Sequence, residues 1–224
     1  MAELRKADKP FSFHTRLHLS ELTGLRASTL DQLLDLIKRA PDSAIYYHTH
    51  AFLQHHHYVI PEPSNDFAYW VNEVLQERPL GEELLNIDTV QYSSIAGLRQ
   101  KIIEVISAYL RKNPLAWMKF VKNGEAFYFI KAISFIVPTP YRAYDLSEFA
   151  EVLRKVTVDS IYFHIFESRL RLGRKTNDFS AWIEGSLGDP ELAGEISRLN
   201  PYMYTLEELR SEIIKLIEKR IWPA

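Results

Sequence analysis

The chain contains no cysteine. Disulfides, thiolate zinc sites and thiol nucleophiles are therefore excluded together, which suits a reducing compartment without requiring one. Glycine is scarce, with eight in 224 residues, so there are few of the tight turns that cradle cofactors. No phosphate loop, dinucleotide fingerprint, GxSxG elbow, HExxH or paired-carboxylate motif occurs. An excess of one charge is lacking too: 27 Lys and Arg stand against 29 Asp and Glu, a formal net charge of -2. Nothing in that balance argues for binding nucleic acid or a membrane surface. Long apolar runs are also missing. The longest, Ala126 to Val137, is interrupted by Lys131 and is too short to span a bilayer. The opening MAELRKADKP has no apolar segment of the secretory kind. The expectation is a cytoplasmic chain.

What is present is ordinary globular composition, 46% hydrophobic and 25% charged, and one pattern written twice. Ser43-Ala-Ile-Tyr-Tyr-His48 lies over Asp159-Ser-Ile-Tyr-Phe-His164, and Asn65-Asp-Phe-Ala-Tyr-Trp70 over Asn177-Asp-Phe-Ser-Ala-Trp182. Phe11 and Phe13 match Phe127 and Phe129 upstream, and Leu98-Arg99 matches Leu209-Arg210 downstream. Offsets of 116, then 112, then 111 residues align the halves with few, short gaps.

Each half opens on a run rich in aromatic and β-branched residues, Phe11 to Leu19 and Phe127 to Val137, which reads as a strand. SELTG and PTP then read as turns. Helices follow, marked by cap signals at Thr29, Asp145 and Thr205 and by a clean apolar stripe, Phe67, Trp70, Val71, Val74 and Leu75. The predicted fold is α+β and mostly helical: two tandem repeats, each a strand plus about four helices, related by a pseudo-two-fold axis with a small shared antiparallel sheet. A lone strand cannot satisfy its backbone, so the two strands must find partners. The expected organisation is a tail over 1–10, a His-rich first repeat over 11–110, a linker with a short packed helix over 111–126, and a second repeat over 127–222.

The stretches FHTRLHLSELTGLR, IYYHTHAFLQHHHY, NDFAYWV, FIVPTPYRAYDL and RLGRKTNDFSAW resemble the uncharacterised prokaryotic family called domain of unknown function 5752. The resemblance runs from Phe11 to about Ile221. It implies no activity, because that family has none assigned.

Candidate chemistry is concentrated in the histidines. Seven of the eight lie at or before position 57. In the first strand His14, Arg16 and His18 fall on one face, where the second strand has Ile130, Ala132 and Ser134. That face either lines a pocket for an anion or metal or is simply exposed, while the second strand reads as buried on both faces. His48, His50 and His55 to His57 offer imidazole ligands, but His48 and His50 on a helix point about 200° apart. His14, His18, His50 and His57 are the set that could hold a divalent transition metal; packing or surface roles are the plainer reading.

His48 and His164 recur in both halves together with Asp66 and Asp178. An Asp-oriented imidazole is the arrangement of a general base, yet its recurrence in both halves favours a structural duty, with Asn65 and Asn177 as helix caps. Trp70 and Trp182 read as core. Arg169, Arg171 and Arg174, just before the helix start at Asn177, could hold an anion or be solvated charge.

No catalytic residue is identified. The preferred expectation is a non-catalytic binding or regulatory protein whose ligand, a small anion or a protein partner, sits near His14, Arg16, His18, His48 and the Arg169–Arg174 run. The alternative is a metal-dependent enzyme, such as a hydrolase, using the N-terminal histidines. A homo-oligomer is compatible with either.

Overall fold

The structure, a computed structural model, describes residues 5–51, 65–168, 176–199 and 203–222. It is α+β and mostly helical, with one two-stranded antiparallel sheet. The strands β1 (Phe11–Ala27) and β2 (Phe127–Ala143) run in opposite directions: Thr23 meets Phe129 while Thr139 meets Phe13.

Both strands are longer than the sequence pattern indicates, and the segments read as turns, SELTG and PTP, lie inside them. The physical reason is the open edge. A two-stranded ribbon leaves every second N–H of each strand without a strand partner, so Pro138 and Pro140, two apart, can share that edge at no loss of ladder bonds. At each former turn a threonine bridges the ladder. The Thr23 hydroxyl donates to Phe129 O (2.7 Å) and accepts from Leu25 N–H (3.1 Å). The Thr139 hydroxyl donates to Phe13 O (2.7 Å) and accepts from Tyr141 N–H (3.3 Å). Gly24, beside Thr23, takes a left-handed backbone at φ 79°, which glycine adopts without strain.

The chain divides into two compact units, and the division cuts both strands. The His48 unit holds residues 18–51 and 65–133, and the His164 unit holds 5–17 and the described residues from 134 onward. Each unit thus combines half of β1 with half of β2.

In the His48 unit, α1 (Leu30–Arg39) starts at Thr29, whose hydroxyl accepts from Gln32 N–H at 3.2 Å. Helix α2 (Asp42–Tyr46) widens into a π-helical turn over Tyr47–Ala51. Helix α3 (Asp66–Tyr69) is capped by Asn65 and widens in the same manner over Trp70–Val74. Then come α4 (Arg78–Leu85), α5 (Ile95–Lys112) and a 3₁₀ turn over Pro114–Met118. One apolar cluster runs through Ile37, Phe67, Leu84, Ile102 and Phe129.

The His164 unit repeats the plan. Its helices are α6 (Leu146–Leu153), α7 (Val158–Tyr162) with a π-helical turn over Phe163–Glu167, α8 (Asp178–Leu187), α9 (Pro190–Arg198) and α10 (Leu206–Ile221). Phe13, Phe149, Phe179, Leu209 and Ile213 are fully buried in it. Helices α4 and α9 were not read from the sequence, although each has proline in its first turn, a recognised start signal. No described helix is long and apolar enough to cross a membrane.

One comparison between the units yields a stability prediction. Helix α8 ends at Gly188, φ 64°, with Asp189 N–H reaching back to Ile183 O (3.3 Å). The turn after α3 ends the same way at Gln76, φ 57°, with Glu77 N–H donating to Val71 O (2.9 Å). A side chain in the left-handed region is strained where glycine is not. Gln76→Gly is expected to raise the unfolding free energy by about 1 kcal/mol, read from urea titration; an unchanged or lower value contradicts this.

Candidate functional site

Two histidines carry the pattern shared by the halves, and the structure gives both the same surroundings. His48 stands at the second residue of the π-helical turn after α2 and is 3% exposed. Its Nε2 accepts the backbone N–H of Ile130 on β2 (2.9 Å), and its Nδ1 lies 2.8 Å from Asp66 Oδ2. His164 stands at the second residue of the turn after α7, also 3% exposed. Its Nε2 accepts the N–H of His14 on β1 (2.9 Å), and its Nδ1 lies 2.8 Å from Asp178 Oδ2.

The aromatic cages agree as well. Phe127, Tyr47, Phe67 and Phe129 surround the His48 ring at 4.7, 5.1, 5.5 and 5.8 Å. Phe11, Phe163, Phe179 and Phe13 surround the His164 ring at 4.8, 4.9, 5.4 and 6.0 Å.

Hydrogen bonding fixes the chemistry. A backbone N–H can only donate, so each Nε2 must be the acceptor. The proton then sits on Nδ1, which donates to the carboxylate. Both ring nitrogens are engaged, so neither imidazole has a nitrogen left to take a proton from a substrate or to bind a metal. Each histidine supplies the acceptor that a third strand would have offered to an open sheet edge. In the His164 unit the Ser160 hydroxyl completes the substitution by donating to His14 O (2.7 Å).

Each aspartate is the first residue of its helix, behind an asparagine cap. Asn65 Oδ1 accepts from Ala68 N–H and Asn177 Oδ1 from Ser180 N–H, both at 2.8 Å. The Trp70 indole donates to Glu125 O (2.8 Å) and the Trp182 indole to Lys9 O (3.1 Å), each just ahead of its strand. The signature residues therefore tie one helix start, one π-helical turn and one strand into a single polar joint inside a phenylalanine core. The indole-to-carbonyl bond has a weak sequence signal: it fastens the residue two before Phe11 or Phe127.

The remaining candidates separate. His14 and Arg16 belong to the His164 unit, His18 and His50 to the His48 unit. The polar face of β1 is not the exposed one: His14, Arg16 and His18 are half-buried, while Leu17 and Leu19 are each 58% exposed. The helices explain this inversion, because they present polar partners. Arg16 pairs with Glu167, whose side chain is 4% exposed, and His14 Nδ1 lies 3.1 Å from Ser12 O. His18 stacks on Tyr46 (5.8 Å), as does His50 (5.4 Å). The second strand is not buried on both faces either, since Phe135 and Ile136 are more than half exposed. Arg169, Arg171 and Arg174, and His55 to His57, lie outside the described residues. Among the described residues no three His, Asp or Glu side chains gather as metal ligands.

Among the described residues, each unit holds a cavity of about 360 Å³. That in the His164 unit has Phe11, Phe163 and Ile136 as apolar walls, with Ser12, His14 and Asp178 as polar groups. That in the His48 unit lies between Val74, Leu75, Phe120 and Val121, with Glu73, Glu125, Lys119 and Lys122 as its charged groups. Lys119 also pairs with the buried Glu77 (2.5 Å), which accepts a hydrogen bond from the Tyr109 hydroxyl.

Burial first, and the Glu77 carboxylate second, push the Tyr109 phenol from 10.0 up to about 12. The raised value favours the neutral phenol in the folded state. This stabilisation is complete below pH 10 and is lost as pH rises through 12. The urea midpoint should therefore fall more steeply between those pH values in the natural chain than in Tyr109→Phe. Parallel slopes contradict this.

The comparisons with known proteins agree with the architecture. No curated protein matches the chain. A solved structure described as "The structure of OrfY from Thermoproteus tenax" is similar at 28% sequence identity and a TM-score of 0.81, covering 97% of this chain and 98% of that one. The family described as "Family of unknown function (DUF5752)" matches residues 8–218, and the chain belongs to it.

Proposed function

We propose that this chain is a non-catalytic binding or regulatory protein, acting inside the cytoplasm, that arose by internal duplication. The observation that carries this reading is the engagement of both shared imidazoles. The two groups best suited by sequence to acid–base or metal chemistry each accept a strand N–H and donate to an aspartate. Support for the duplication comes from recurrence of the whole joint, down to the cage distances, once where His48 of residues 11–110 meets the strand of 127–222 and once where His164 of 127–222 meets the strand of 11–110. The joined segment 111–126 and the N-terminal residues then supply the carbonyls that receive the two indoles.

The ligand is a small anion or a protein partner. Arg16 contributes little to an anion, because Glu167 already answers its charge. The basic run Arg169, Arg171 and Arg174, which precedes α8 in the sequence, carries the charge that would attract one. The test is the melting temperature of the chain with phosphate, sulfate or citrate added at constant ionic strength. Binding at about 100 times Kd adds about 2.7 kcal/mol of stability. At least one of these anions should raise the melting temperature, and Arg169→Ala/Arg171→Ala/Arg174→Ala should abolish the rise. An unaltered rise in that triple variant would sink the assignment of the site.

A further inference from the structure

The two joints share their histidine, aspartate and indole bonds but differ at the amide of the capping asparagine. In the His48 unit Asn65 uses its whole side chain. Its Oδ1 accepts from Ala68 N–H, and its Nδ2 donates to Leu84 O in α4 (3.2 Å). In the His164 unit Asn177 Oδ1 accepts from Ser180 N–H in the same way, but Nδ2 meets no acceptor among the described residues. Ser180 stands where the other half has Ala68, and its hydroxyl has no partner among them either. Asn177 is 1% and Ser180 2% exposed, so bulk solvent does not reach them.

A buried amide N–H without an acceptor is rare, because it has given up its hydration for nothing. A helical serine has a ready escape, the carbonyl one turn back. Ser211 takes it, donating to Glu207 O (2.9 Å), and Thr49 likewise donates to Ile45 O (2.7 Å). Ser180 does not. Both departures fall in one joint and on one helical turn, where the cap bond of 2.8 Å holds the Asn177 amide against Ser180. Each accounts for the other if a third group joins them: the asparagine lacks a carbonyl, and the serine brings an oxygen that alanine cannot.

That group must accept from an amide and bond a hydroxyl, which excludes a cation. Both residues are sealed inside the first turn of α8, which bars an organic ligand or a polyatomic anion. A single water meets each condition, since it accepts and donates at once and has two polar partners here. We propose that the start of α8 holds one buried water, accepting from Asn177 Nδ2 and donating to Ser180 Oγ. The His164 joint is then closed by a solvent molecule where the His48 joint is closed by the Leu84 carbonyl. Such a water is part of the fold. The site uses none of the basic residues of the anion reading, so either can fail alone.

Ser180→Ala in the full chain tests this by the sign of its effect. An unpartnered buried hydroxyl is better removed, and alanine is the stronger helix former; without the water the urea midpoint would rise or hold. With the water in place, the substitution takes one of its two partners and strands the Asn177 amide. The midpoint should then fall by about 0.3 M or more. A high-resolution crystal structure of the natural chain should show one water within about 3.2 Å of both atoms, and that of Ser180→Ala should lose it. The proposal is overturned by a midpoint that does not fall, by no density at that place, or by a water indifferent to Ser180→Ala. An ordered ion there, or Asn177 Nδ2 bonded to a protein carbonyl, also overturns it.

Discussion

His164→Ala is expected to lower the unfolding free energy by about 3–4 kcal/mol, and His48→Ala by a similar amount. Three losses combine. A strand N–H, that of His14 or Ile130, is left without its acceptor in a half-buried setting. The aspartate that begins the next helix loses its donor. A ring-sized cavity opens among four aromatic rings. Glutamine can place an oxygen near the former Nε2 but cannot also reach the aspartate, so His164→Gln should recover about 1 kcal/mol of the loss. Urea unfolding monitored by tryptophan emission decides the matter. A loss under about 1 kcal/mol for either alanine variant would mean the imidazole is not a structural joint.

Arg16→Ala is expected to cost about 3 kcal/mol, because it takes a partner from a carboxylate that is only 4% exposed. The same substitution made together with Glu167→Ala should cost much less than the sum of the two single changes. The other half of the chain shows why: its sequence has Ala132 and Ala51 at the corresponding positions. With both charges removed, no carboxylate is left to desolvate. A double-mutant cycle gives the coupling directly, with about 2 kcal/mol or more expected. Additive single effects would show that the pair contributes nothing at this site.

Much of this was legible in the sequence, and the exceptions have physical causes. The repeated His, Asn-Asp and Trp positions, the α1, α6 and α10 cap signals and the Phe67–Trp70 stripe rest on local periodicity, which a sequence states openly. The strand ends are not legible because Gly24, Pro138 and Pro140 ordinarily break strands; in a two-stranded ribbon the open edge tolerates proline, and glycine takes the left-handed backbone beside Thr23. The sequence leaves open whether the Arg16 face of β1 turns inward, because what buries an arginine is its partner. That partner, Glu167, is 151 positions away, and nothing near Arg16 announces it. Which helices each half-strand packs against is the same kind of long-range choice.

The candidate site divides in the same way. That His48 and His164 sit close to Asp66 and Asp178 could be read from their recurrence. That Nε2 accepts a strand N–H could not, since Ile130 and His14 share no side-chain signal for a backbone contact. The exposed group Leu115, Trp117, Met118 and Phe120 was misread for a related reason. Apolar composition suggests a packed helix, and only Ala116 and Val121 of that stretch are buried.

The most direct measurement is the protonation pattern of the two rings, by long-range proton–nitrogen correlation NMR on labelled protein near neutral pH. His48 and His164 should both carry their proton on Nδ1 with Nε2 bare, and the amides of Ile130 and His14 should be among the slowest to exchange. A proton on Nε2 of either ring, or rapid exchange at those amides, would contradict the account.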